Sequence, residues 1–154
     1  MKRNIFKNPS DPPFTCPGLW KDFFSRPFTH DRVPRNDPEE VEPVEVVLGG
    51  LGVSEPVDFQ YSRSNQKLLV RLRDEEEVRR LRPRFSDLLE VENALGWRRV
   101  IVTAKRTDPY DFVSRYFAPW MGVDEDPVTG SAHTVLAPYW AKVLGKNIFR
   151  AYQA

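Results

Sequence analysis

The chain has a single cysteine, Cys16, so it can form no internal disulfide and no cysteine-cluster metal site. Histidine is nearly as scarce, with only His30 and His133, and His30 has no ligand-type partner near it in sequence. No run approaches the roughly 18 to 20 apolar residues that a membrane-spanning helix needs. The opening Met1-Lys2-Arg3-Asn4-Ile5-Phe6 lacks the apolar core of a secretion signal, so a cytoplasmic location and no membrane partner are expected. No long basic tract exists either. Lys+Arg 23 against Asp+Glu 22 leaves a net charge of +1, which argues against nucleic acid as a partner.

What is present describes a globular chain. Of 154 residues, 40% are apolar and 29% charged, too much apolar material for a disordered protein. Proline is unevenly spread: Pro9, Pro12, Pro13, Pro17, Pro27, Pro34, Pro38 and Pro43 crowd the beginning. Each lacks an N–H and restricts its predecessor, so residues 1–43 are expected to be irregular. The aromatics Phe14, Trp20, Phe23, Phe24 and Phe28 are the candidates for tacking that segment onto a core.

Residues 44–154 read as α+β. Val57 to Tyr61 and Lys67 to Arg73 alternate apolar and polar residues, with turn-type Ser62 to Gln66 between them, which predicts a hairpin. In the second strand Leu68, Val70 and Leu72 share one face. Asp74, three residues before Glu77, opens a short helix that ends near Pro83. A second helix is predicted over Ser86 to Ala94, stopped by Gly96. Val100 to Ala104 and Tyr110 to Phe117 are strand candidates. From Ala132 onward, Val135, Leu136, Tyr139, Trp140, Val143 and Leu144 form one apolar stripe on a helix. Gly145 suits its left-handed stop. Pro138, inside it, predicts a bend or a lost turn.

The chemistry concentrates just before that last helix, in Gly122 to His133. A strand, a turn and small residues lead into a helix N-terminus, where the amides of Gly130, Ser131 and Ala132 are expected to point outward. Such an end attracts carboxylate or phosphate. Gly130 allows close approach of a ligand, and Asp126, fixed by Pro127, sets a carboxylate beside it. An acid next to an anion site is what proton transfer beside a bound carboxylate requires. The ordinary alternative is helix capping by Asp126, Thr129 and Ser131. Thr129 and His133 are further candidates for supporting positions behind the site. Arg115 is a candidate for bringing a cation to it, with plain strand alternation as the alternative. Arg79, Arg80, Arg82, Arg84, Lys105 and Arg106 lie among acids and read as solvated faces.

Tyr116-Phe117-Ala118-Pro119, Gly122-Val123 and Glu125-Asp126-Pro127-Val128-Thr129-Gly130-Ser131-Ala132-His133 resemble the phenazine-biosynthesis F-like (PhzF-like) family. The similarity extends through Tyr139-Trp140 and Leu144-Gly145-Lys146, and back to Gln66 to Leu72. It implies a diaminopimelate-epimerase-like fold of two lobes, each a curved, barrel-like sheet around a central helix, with the site in the cleft between them. It also implies an isomerase that moves a proton within a small carboxylate-bearing substrate, with neither metal nor organic cofactor, and homodimers as the common assembly. By the same resemblance Asp126 is catalytic, and Gly130, Ser131 and Ala132 meet the substrate carboxylate. Gly-Asn-Pro and Gly-His-Ala-Thr, motifs of the family's first lobe, are absent, as is that lobe's glutamate base. The resemblance therefore predicts one incomplete second lobe over residues 44–154, with little or no activity alone. The competing expectation is a non-catalytic binding protein that keeps half of the fold.

Overall fold

The computed structural model describes residues 35–154, and the side chains of residues 91–95 are left aside. Most of the proline-rich stretch, with Cys16, His30 and its aromatics, lies outside the described residues. Among them, seven strands form one open sheet with helices on both faces, an α+β fold as expected. No helix among them is long and apolar enough to cross a membrane.

The chain enters through β1 (Glu39–Glu40), a short edge strand paired with β2 (Asp58–Ser62). Helix α1 (Glu45–Leu51) intervenes and ends on Gly52 at φ 77°. The predicted hairpin is present: β2 runs antiparallel to β3 (Lys67–Arg71), joined by a 3-10 turn over Arg63–Asn65. Two helices follow, α2 (Glu75–Arg80) and α3 (Phe85–Leu95). The Asp74 carboxylate accepts from the Glu77 amide at 2.9 Å, the cap that the spacing predicts. Gly96, at φ 70°, follows the end of α3.

These helices form the crossover that lets β4 (Arg99–Lys105) lie parallel to β3. β5 (Phe112–Ala118) returns antiparallel to β4, and β6 (Val123–Glu125) continues the sheet beyond it. A 3-10 turn over Gly130–Ala132 leads into α4 (His133–Leu144), and β7 (Ala151–Gln153) pairs in parallel with β5.

Strand alternation divides the core in two. Leu68, Val70, Val100, Val102, Val113 and Phe117 face α1, α2 and α3. Leu69, Ile101, Phe112 and Tyr116 face α4, packed on Val135, Leu136, Tyr139 and Trp140. Covering both faces explains why β3 and β4 are buried along nearly their whole length. Phe112 stacks on Trp140 with centroids 5.4 Å apart, and the buried indole donates to Thr103 Oγ1 at 3.1 Å. The Tyr139 hydroxyl donates to Asp58 at 2.7 Å and ties α4 to β2.

Two expectations for α4 need correction. The helix does not lose a turn at Pro138, and the Thr134 carbonyl that lacks its helical donor accepts from the Asn36 amide instead. Val143 belongs to the apolar stripe by spacing but is 38% exposed, whereas Leu144 beside it packs against the α4-side cluster.

Candidate functional site

The turn from Asp126 to Ser131 is held by main-chain and side-chain bonds from three elements. The Asp126 amide donates to the Tyr116 carbonyl of β5 at 3.0 Å, and Asp126 Oδ1 accepts from the Val128 amide at 3.1 Å. This Asx-type turn, with Pro127 inside it, fixes the carboxylate's direction. Gln153 of β7 braces the other side: it donates to the Asp126 carbonyl and accepts from the Thr129 amide at 2.9 Å. Thr129 is buried at that contact. Glu125 is engaged elsewhere, in a bidentate pair with Arg115 at 2.7 and 2.9 Å.

Arg115 also donates to the Val78 and Leu81 carbonyls at 3.0 Å, where α2 ends. It therefore works on the face of the sheet opposite α4, and strand alternation accounts for it. Glu125 and Asp126 are consecutive carboxylates with different surroundings.

The three amides expected to face outward are not equivalent. The Ala132 amide closes the 3-10 turn by donating to the Thr129 carbonyl at 3.1 Å, so it is unavailable to a ligand. Those of Gly130 and Ser131 have no acceptor among the described residues. Gly130 is not in the left-handed region, and a Cβ built there would meet no atom within 4 Å. The space over Gly130 is open. Ser131 is exposed beside it.

The sequence reading missed Lys67. Its ammonium donates to the Ser131 carbonyl at 2.6 Å and to Ser131 Oγ at 2.9 Å, and the residue is 3% exposed. It sits 5.7 Å from the Tyr116 ring centroid and is aligned with Arg99 across the parallel pair β3–β4. Burial, and then the Arg99 charge, lower its pKa to about 8. Burial also pushes the Tyr116 hydroxyl up, opposed by Arg99 and by its bond to Ser131. The one available signal was a lysine opening an otherwise apolar strand, Lys67-Leu68-Leu69-Val70, on the face that carries Leu69.

His133 is 8% exposed, with its ring 6.3 Å from Phe112. Burial, and then Lys67, lower its pKa to about 4, so it is neutral at physiological pH. Thr134 donates to the Ser131 carbonyl at 2.9 Å and accepts from Asn65 at 3.2 Å, which joins the β2–β3 turn to the site. Among the described residues no three His, Cys, Asp or Glu side chains gather to hold a metal ion.

The arrangement is an open turn with two amides that have no acceptor among the described residues, a hydroxyl, a buried cation behind it and one carboxylate at its edge. It can receive a small anion and hold an acid–base group next to it.

Comparison with known proteins places the chain in a family. The family model described as phenazine biosynthesis-like protein matches residues 38–154. The chain is 43% identical over 125 residues to the human phenazine biosynthesis-like domain-containing protein, covering 75% of this chain and 43% of that one. It is 51% identical over 120 residues to an uncharacterized isomerase of Pseudomonas aeruginosa, covering 78% of this chain and 43% of the relative. Among solved structures, a PhzF-family phenazine biosynthesis protein from Enterococcus faecalis superposes with a TM-score of 0.68 at 38% identity. That match covers 79% of this chain and 44% of the other, a span that fits one lobe. The chain thus spans well under half the length of these relatives.

Proposed function

Since the chain belongs to the phenazine biosynthesis-like (PhzF) family, we propose that it carries half of an isomerase site, which moves a proton within a small carboxylate-bearing substrate. The observation that carries this reading is the turn itself. Gly130 and Ser131 offer amides and a hydroxyl to a carboxylate, with Asp126 held at the same turn by the Tyr116 carbonyl and Gln153. Asp126 is the acid–base group on this side, and no cofactor takes part. The partner group for the proton, a glutamate in the family's first lobe, is not in this chain. Alone, the chain turns over little or no substrate. A homodimer and a cytoplasmic location complete the reading.

A non-catalytic binding role is the second reading, and a specific asymmetry favours it. The anion receptor is built from this chain alone, whereas among the described residues the carboxylate next to Asp126, that of Glu125, is spent on Arg115.

Deuterium uptake from heavy water into a dihydro-hydroxyanthranilate-type substrate, followed by NMR, tests the proposal. The isolated chain should give exchange close to the uncatalysed rate. Robust exchange that disappears in Asp126→Ala would overturn the statement that the chain alone is inactive. Robust exchange that survives Asp126→Ala would remove Asp126 from the mechanism.

A further inference from the structure

Lys67 makes an arrangement that a merely structural lysine does not need. An ammonium has three donors and no acceptor, so at 2.9 Å the Ser131 oxygen must accept from it. The Ser131 oxygen has two acceptor positions, so when Lys67 and the Tyr116 hydroxyl both donate to it, its own proton is left to give on the open side of the turn. The 2.6 Å bond to the Ser131 carbonyl fixes the same residue a second time, so that backbone and side chain are both set.

The charge balance is the second observation. The groups facing Lys67 are Arg99 from β4, the Tyr116 ring from β5, and His133 and Ser131 from α4 and the turn before it. Arg99 repels it, His133 and Tyr116 are neutral near pH 7, and no carboxylate pairs with it among the described residues. A buried ammonium without a counter-charge is costly, and the cost falls when an anion arrives nearby. Among the described residues, the open space over Gly130 and the exposed Ser131 lie beside Lys67.

We propose that Lys67 is a positioning residue that makes the Gly130–Ser131 turn selective for a carboxylate: it aims the Ser131 hydroxyl at the ligand, and the ligand's negative charge becomes its counter-charge. This rests on the reading of the turn as the carboxylate site given above. The ligand touches Ser131 and the amides, and Lys67 acts through them. A neutral isostere of the same shape gains no such charge and binds weakly.

The test uses the full 154-residue chain, isotopically labelled, with benzoate and its neutral isostere benzamide as probes. NMR follows the Gly130 and Ser131 amides together with the Lys67 side chain. Benzoate should move both amides saturably, and benzamide should bind at least about tenfold more weakly. Saturating benzoate should raise the Lys67 titration midpoint by about one unit, which by linkage equals about tenfold tighter binding to the charged form. Lys67→Gln should weaken benzoate about tenfold, and Lys67→Arg should restore part of the loss.

Equal benzoate binding in Lys67→Gln, with the turn resonances still moving, overturns the role of Lys67 and leaves the carboxylate turn standing. Absence of saturable shifts at Gly130 and Ser131 in the unsubstituted chain overturns both. Should Lys67→Gln fail to fold, the midpoint in the unsubstituted chain decides: one that stays put under saturating benzoate refutes the proposal.

Discussion

The Asn36 amide donates to the Thr134 carbonyl at 3.0 Å, and Thr134 is the residue that Pro138 deprives of its helical donor. Proline at position 138 has no N–H to offer four residues back, and a carbonyl left without a partner in a partly buried place is costly. The segment before β1 supplies the missing donor. The Asn36 side chain also accepts from Ser64 Oγ at 2.6 Å, so this strap reaches the β2–β3 turn.

Pro138→Ala returns an amide to the helix, which then competes with Asn36 for the same carbonyl. Amide exchange at Asn36 should accelerate by roughly tenfold, the worth of one net hydrogen bond. Hydrogen–deuterium exchange of the folded chain reads this directly. Unchanged protection at Asn36 would mean that the strap is held by its side chain.

Gly130→Ala should separate the site from the fold. The added methyl meets nothing within 4 Å, and the backbone there is not in the left-handed region, so the melting temperature should move by a degree or two at most. The same methyl stands in the space through which a carboxylate reaches the turn, so benzoate shifts at Ser131 should weaken by tenfold or more. A variant that melts normally and binds normally would show that the ligand does not approach over Gly130.

Two titrations should shape stability against pH. Lys67 has a folded pKa of about 8 against an ordinary 10.5, so between these values the unfolded chain holds more protons. Stability should therefore rise from pH 8 to 10.5, by at most about 3 kcal/mol. His133 has a folded pKa of about 4 against 6.5, so stability should fall as pH drops through that window. Denaturant unfolding across pH, compared with Lys67→Met and His133→Gln, isolates each slope. Each variant should flatten only its own window.

Arg115→Lys is predicted to cost about 2–4 kcal/mol despite keeping the charge. The guanidinium holds both Glu125 oxygens and two carbonyls at the end of α2, a fork that an ammonium does not reproduce. Urea unfolding measures the loss. A change below 0.5 kcal/mol would mark the pair as dispensable.

Gly49 and Gly50 are adjacent in α1, yet alanine should act oppositely at the two. At Gly49 nothing lies within 4 Å of a new Cβ, and helix propensity alone should stabilise by about 0.5–1 kcal/mol. At Gly50 the Cβ would come within 2.8 Å of Leu88 Cδ2 and 3.0 Å of its Cγ, and Leu88 is fully buried. Overpacking there should cost about 1–3 kcal/mol, offset in part by the same propensity. Thermal melts of the two variants should shift in opposite directions.

The parts of this fold legible in sequence are those with local causes. Asp74 caps α2 because its carboxylate and the Glu77 amide are three residues apart, and Gly145 ends α4 because only the backbone around it matters. The Asp126-to-His133 string was legible as a motif, and its Asx turn and 3-10 turn follow from Pro127 and the small residues after it. Lys67 was not legible, because its partner lies 64 residues away and strand alternation reports a face without saying what covers it. The same blindness hid the Asn36 strap and left the two readings of Arg115 undivided until its partners Glu125, Val78 and Leu81 were placed. Ala132 was misread for a different reason: an α-helical start would leave its amide unpaired, whereas a 3-10 start uses it one residue earlier.

The Gln153 side chain spans the turn from β7, bonding at Asp126 on one side and at Thr129 on the other, while its strand pairs with β5 through Val113 and Tyr152. Order at the turn and order in β7 are therefore linked quantities, and such a linkage works equally in both directions. A ligand that stiffens the turn must slow amide exchange along β7 as well, which makes that strand a remote reporter of occupancy. Whatever stiffens β7 must by the same factor tighten the hold of the turn on its ligand.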